Sequence, residues 1–362
     1  MKKNVIKLFD PVVGNNEKKA VERVLKSGYW ASGSGEGDVK KFEKLFSDYT
    51  NAKRCIAVNN GTSALHLALS LYDIRGKEVI LPSITFVSTA HAIIYNGGIP
   101  IFAEINPTTL CIDVDDVREK ITKKTKIILP VHFGGMACNM KKLKKISTEY
   151  KIKLVEDAAH ATGTKYCDSK IGSIGDATCF SFHPVKNLAM PTGGAITLNG
   201  KNSKEFENVL KSRRWCGIAN RKASKYEVNE LGWNFYMNEF SAAIGIEQLK
   251  KIEKLNNKRR KIAKKYFNSI QTNEKMPFSE TCSYHLYWIQ VQKRDNFMKR
   301  MLEEGIETGI HYNPVHKMNF YNKKQKLSIS EKVGNTIVSL PIHPNLSEKD
   351  IEKIIKTTNK LL

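Results

Sequence analysis

Seven short apolar runs recur between residues 55 and 198, separated by stretches of helical periodicity: Cys55 to Val58, Glu78 to Leu81, Ile99 to Ala103, Thr125 to Val131, Ile152 to Val155, Ala177 to Phe182 and Gly194 to Leu198. Runs this short and this apolar read as strands buried on both faces. Strands that alternate with helices build a mainly parallel sheet covered on both sides, an α/β fold. Met237 to about Phe267 reads as one long helix, with Phe240, Ile244, Leu249, Ile252 and Leu255 on its apolar stripe. Beyond it, Tyr284 to Val291 alternates like a strand, and Asp295 to Glu304 and Ser347 to Leu361 have helical spacing. A chain of 362 residues is long enough for a large core and a smaller second one. The expected division is a large domain with an N-terminal arm over 1–255 and a small α/β domain over 256–362.

Ligands in such folds collect where strand ends meet loops, and the chemistry-bearing residues fall there. Asp157 follows the apolar run Ile152 to Val155, in Val155-Glu156-Asp157-Ala158-Ala159-His160. Lys186 follows an aromatic, Ser-containing run, in Phe180-Ser181-Phe182-His183-Pro184-Val185-Lys186-Asn187. One chemistry wants that pair close together. A pyridoxal phosphate enzyme needs a lysine for the Schiff base with the aldehyde, and a carboxylate that keeps the pyridine nitrogen protonated so the ring can act as an electron sink. By itself the pair also fits a helix-capping Asp and one of many surface lysines. A third segment, Asn59-Asn60-Gly61-Thr62-Ser63-Ala64-Leu65-His66, turns from a strand into a helix through Asn-Gly and two hydroxyl residues. Free amides and the positive end of the helix dipole make that turn an anion site suited to a phosphate.

Together with Pro82-Ser83-Ile84-Thr85-Phe86 and Gly232-Trp233-Asn234-Phe235-Tyr236-Met237-Asn238, these segments resemble the DegT/DnrJ/EryC1/StrS sugar aminotransferases, in the family's order and approximate spacing, from about Asp10 to the C-terminal helix. The resemblance implies the type I, aspartate aminotransferase-like fold and a pyridoxal 5′-phosphate cofactor, with pyridoxamine 5′-phosphate as its half-reaction form. It implies that Lys186 holds the cofactor and moves the proton, and that Asp157 pairs with the pyridinium nitrogen. His160 and Phe86 would flank the ring, while Gly61, Thr62, Ser63 and Ser181 would bind the phosphate. Asn234 would reach the same phosphate in a neighbouring subunit, which implies a homodimer with shared active sites. His183, His311, Tyr312 and His316 are the expected substrate-side residues.

The substrates so implied are a nucleotide-linked keto-deoxysugar and L-glutamate or glutamine, in surface polysaccharide or glycan synthesis. The Ser-Phe-His-Pro-Val-Lys form looks like the branch that aminates C4 of a 4-keto-6-deoxyhexose. A C3 aminotransferase, a sugar dehydratase and an aromatising aminoshikimate-type enzyme are the alternatives, and a cofactor-binding regulator is a distant one. Dehydratase relatives carry His where this chain has Lys186. Many relatives also follow that lysine with a Gly-Glu-Gly-Gly type run, where this chain reads Met190-Pro191-Thr192-Gly193-Gly194. Pro191 restricts a backbone angle that Gly would leave free, and Thr192 removes a carboxylate.

The formal charge of +23 invites a nucleic-acid reading. Yet clusters such as Lys141-Lys142-Leu143-Lys144-Lys145 and Lys258-Arg259-Arg260-Lys261 lie on amphipathic helical stretches and read as solvated faces, with no nucleic-acid-binding signature beside them. A positive field suits a substrate carrying a diphosphate. No apolar run is long enough to span a bilayer, and the basic N-terminus lacks a secretory signal's apolar stretch. The seven scattered cysteines have no zinc-ligand spacing and read as reduced thiols, so a cytoplasmic enzyme with no metal is expected.

Overall fold

The computed structural model describes residues 5–321 and 325–362. All seven apolar runs are strands of one sheet: β1 (Arg54–Val58), β2 (Glu78–Pro82), β3 (Ile99–Ala103), β4 (Thr125–Ile128), β5 (Lys153–Asp157), β6 (Ala177–Ser181) and β7 (Gly194–Leu198), in the spatial order β1-β7-β6-β5-β4-β2-β3. The five strands from β6 to β3 pair in parallel, and β7 runs antiparallel to both β6 and β1. Strand residues alternate between two apolar cores. Ile56, Val58, Val79, Leu81, Ile127, Val155 and Ile196 face one core, and Ala57, Ile80, Ile128, Leu154, Phe180 and Ala195 face the other. Period-two alternation with both faces apolar is what makes each run read as continuously hydrophobic.

The antiparallel β7 has a functional consequence. Because β6 and β7 form a hairpin-like pair, the loop between them stays at the carboxyl edge of the sheet, pinned by Phe182 N–H to Gly193 O and Met190 N–H to Phe182 O, both 2.8 Å. Lys186 lies in that loop. Since β1, β2, β5 and β6 share one direction, Gly61, Phe86 and Asp157 end at the same edge. Thr192 supports the altered turn by donating its hydroxyl to Asn59 O beside β1.

The long helix is continuous over Glu239–Ser269, about 46 Å at 1.5 Å per residue, started by the Asn238 side chain accepting from Ser241 N–H at 2.8 Å. The expected boundary at 255/256 falls inside this helix. Beyond it, Tyr287–Gln290 pairs antiparallel with Ile337–Leu340, and helices Arg294–Glu303, Ser328–Thr336 and Glu348–Leu361 pack around that pair. The N-terminal arm docks on this C-terminal part: Ile6 bridges Ile306, and Leu8 N–H donates to Glu307 at 3.0 Å.

Lys141, Lys142, Lys144 and Lys145 form a solvated helix face, with Leu143 and Ile146 turned inward. The second cluster needs a correction. Arg259 is only 6% exposed because helical periodicity aligns it with Ile252, Leu255 and Ile262, and its Nη1 has no hydrogen-bond partner. Only Lys258 and Lys261 of that run are exposed. Among the described residues, no helix is long and apolar enough to cross a membrane.

Candidate active site

At the carboxyl edge of the sheet lies a cavity of about 320 Å³. Its wall carries Gly61, Thr62 and Ser181, with Asp157, His160 and Lys186, and with Phe86, His183, His311 and Tyr312. These residues come from five separate stretches of chain.

Asp157 ends β5, one strand from β6, where Asp157 registers against Cys179. It is buried, and its two carboxylate oxygens accept from Thr89 Oγ1 at 2.8 Å and Ala159 N–H at 3.0 Å. Burial raises its pKa, opposed by those donors and by the positive charge of Lys186. Lys186 is pushed the other way, down to about 8, because burial disfavours the ammonium more than Asp157 favours it. His160 Nε2 lies 3.1 Å from the Tyr312 hydroxyl, and its Nδ1 accepts the Gly134 N–H at 3.3 Å. Burial, then the positive charge of Lys186, holds its pKa well below the usual imidazole value.

The segment expected to cradle an anion opens the helix Gly61–Ser70. Asn60 caps it by accepting from Ser63 N–H at 2.8 Å, so Gly61 and Thr62 are the first-turn residues on the cavity wall. A Cβ at Gly61 would come within 2.7 Å of the Ser181 Cβ, so only glycine lets the helix start approach Ser181 this closely.

Three expected residues, Ser63, His316 and Asn234, lie off the wall. Ser63 is buried on the first turn of the helix, its amide spent on the cap. His316 is fully buried between the Ser83 hydroxyl (2.5 Å) and Glu331 (3.3 Å), tying the 315–317 turn to the end of β2. Asn234 is exposed outside the cavity, its carbonyl 3.5 Å from the Asn59 side-chain nitrogen. Phe86 is 56% exposed over the site rather than buried in the core. Thr89 and His285 were not anticipated. Thr89 had a usable signal, being three residues after Phe86 on the helix that Phe86 starts. His285 had none, since a histidine in an apolar strand-like run reads as core.

The residues fit pyridoxal phosphate. An amine with a depressed pKa, a buried carboxylate able to face a cation, and a glycine-built anion cradle line one cavity of suitable size. Fold and site together define an enzyme of the aminotransferase class. The chain belongs to the DegT/DnrJ/EryC1/StrS aminotransferase family, whose sequence model matches residues 11–359. It is 38% identical to a dTDP-3-amino-3,6-dideoxy-alpha-D-galactopyranose transaminase of Aneurinibacillus thermoaerophilus, with 94% of each chain covered. It is 33% identical to the spore coat polysaccharide biosynthesis protein SpsC of Bacillus subtilis, covering 97% of this chain and 96% of that one. Among solved structures, Helicobacter pylori PseC, an aminotransferase of pseudaminic acid biosynthesis, superposes with a TM-score of 0.92 at 26% identity and 99% coverage of both chains. The Streptococcus pneumoniae putative sugar aminotransferase Spr1654, known in PMP and PLP forms, reaches 0.93 in the PMP form at 26% identity, covering 99% of this chain and 97% of that one.

Proposed function

We propose that this protein uses pyridoxal 5′-phosphate to move an amino group from L-glutamate, or glutamine, to C4 of a nucleotide-linked 4-keto-6-deoxyhexose. The observation that carries the reading is Lys186 and Asp157 lining one cavity, each with its pKa displaced by burial. The bound cofactor supplies an electron sink for the carbon that loses a proton. Asp157 would pair with the cofactor's ring nitrogen and keep it protonated. Lys186 Nζ would hold the cofactor and, as a free amine, would carry the proton. With its pKa near 8, about a tenth of that amine is neutral at pH 7. Gly61, Thr62 and Ser181 take the phosphate, and His183, His311 and Tyr312 face the sugar.

The C4 preference rests on the Ser181-Phe182-His183-Pro184-Val185-Lys186 form. A C3 reading has its own support in the 38% identical relative, whose name gives a 3-amino sugar. The test is a visible spectrum of the protein with pyridoxal phosphate, before and after L-glutamate, followed by a screen of nucleotide-linked ketosugars. A yellow band that glutamate bleaches is expected, and the position of the new amine in the product, read by NMR, decides between C4 and C3. A yellow band that neither glutamate nor glutamine alters would overturn the donor half of the reading.

The active form is a homodimer in this reading, with Asn234 of each copy completing the phosphate site of the other. Its exposed position outside its own cavity supports that. Asn234→Ala should then weaken cofactor binding about five- to tenfold, the value of one lost hydrogen bond. Unchanged affinity in a protein shown dimeric by light scattering would sink the cross-subunit role.

A further inference from the structure

The Lys186 amine has a neighbour that comes from neither β5 nor its own loop. Lys186 Nζ lies 3.4 Å from His285 Nε2. His285 is 3% exposed, and its ring is held on two sides. It packs against His160 with centroids 4.5 Å apart, and it stacks on Phe9 of the N-terminal arm at 5.6 Å and 16°. The backbones carrying the two residues are locked together as well. Asn187, next to Lys186, donates its side-chain amide to Ser283 O at 2.8 Å and to Asn256 Oδ1 at 2.9 Å. Arm, long helix and catalytic loop thus converge to hold one imidazole against one amine.

We propose that His285 is a positioning residue for Lys186: its neutral imidazole accepts a hydrogen bond from Nζ and fixes where the amine sits whenever that amine is free. Accepting at Nε2 leaves the ring proton on Nδ1. Neutrality follows from the surroundings. Burial, then the positive charge of Lys186, keeps His285 well below the usual imidazole pKa, and Arg259 on the long helix adds to the effect. The other groups facing Lys186 are Asp157, His160, His183, His311 and Tyr312. The three histidines among them are all shifted down and the Tyr312 hydroxyl is shifted up, so Asp157 is the one carboxyl of this set. Asp157 is committed to Thr89 and Ala159. A separate neutral acceptor lets the amine be steered without drawing the carboxylate away from the ring nitrogen it is read as facing.

The inference rests on Lys186 being the cofactor-attaching amine, but its test is made on cofactor-free protein. The readout is the rate at which Lys186 is reductively methylated by formaldehyde as a function of pH, followed by peptide mass spectrometry. His285→Phe keeps a ring against His160 and Phe9 but offers no acceptor, whereas His285→Gln keeps an acceptor and loses the ring. An acceptor favours the ammonium, so His285→Phe should lower the titration midpoint, about 8 in the parent, by about one pH unit. His285→Gln should stay within a few tenths of the parent. Equal midpoints in all three proteins, or a fall in His285→Gln, would overturn the proposal and leave His285 a packing residue. The visible band with pyridoxal phosphate reports separately on the reading of Lys186 itself.

Discussion

Lys186→Ala should abolish amino transfer, with turnover falling by about four orders of magnitude or more, and should remove the yellow band of lysine-held cofactor. In the proposed reading two losses combine: the covalent anchor and the base that moves the proton, the latter alone worth up to about 10⁴-fold. The fold should survive. Burial disfavours the Lys186 ammonium, so exchanging it for a methyl group relieves the ligand-free protein of a desolvation cost. In the parent protein the amine attacks an aldehyde only when neutral. The rate of pyridoxal phosphate attachment should therefore climb with pH and level off above about 8, well below the 10.5 of an ordinary lysine. Rapid-mixing absorbance across pH 6 to 10 checks the climb. A rate still rising steeply near pH 10 would mean the amine is not in the buried setting described.

The second large effect is expected at Asp157. Asp157→Asn keeps the shape and removes the charge. Its amide nitrogen can turn toward Thr89, whose hydroxyl can then donate to Thr85 Oγ1, 2.8 Å away, at the expense of the bond that Thr85 donates in the parent. What is lost is the counter-charge to a protonated ring nitrogen. Removing one partner of a buried ion pair costs about 3–5 kcal/mol, which is about 10²- to 10⁴-fold in rate. The ligand-free variant should be at least as stable as the parent. The parent carboxyl has its pKa raised on folding, so its contribution to stability is full at low pH and is lost as pH rises from the unfolded value toward the folded one. Single-turnover kinetics with glutamate, set beside thermal melts near pH 7, separate the two effects. A variant that melts far lower and retains its rate would reverse the assignment, making Asp157 structural.

What was legible in the sequence depended on how local its cause was. Each sheet strand announced itself because both faces are buried, as at Ile56, Ala57 and Val58. The hairpin Ile218–Lys222 with Lys225–Val228 did not, being mostly exposed and rich in Lys, Arg and Asn. Ser328–Thr336 and Ile337–Leu340 abut without a loop, so the change from helix to strand period had no marker. Ser63 was expected at the phosphate from the family resemblance, and first-turn geometry spends its amide on Asn60. Arg259 looked like part of a charged surface run until the phase of the long helix turned it inward.

By itself, the sequence determined the alternating strands and helices, the helix start at Gly61, and the placing of Asp157 and Lys186 at or just past strand ends. Those depend on side-chain period and on residues adjacent in the chain. The tertiary structure decided which distant groups meet: Thr89 on Asp157, His285 on Lys186, and Phe9 of the N-terminal arm behind that histidine. Lys186 and His285 are 99 residues apart, joined only because an antiparallel β7 holds one loop at the sheet edge while the long helix carries the chain back past it. No local pattern records such a meeting, because the free energy that fixes it comes from packing the whole core.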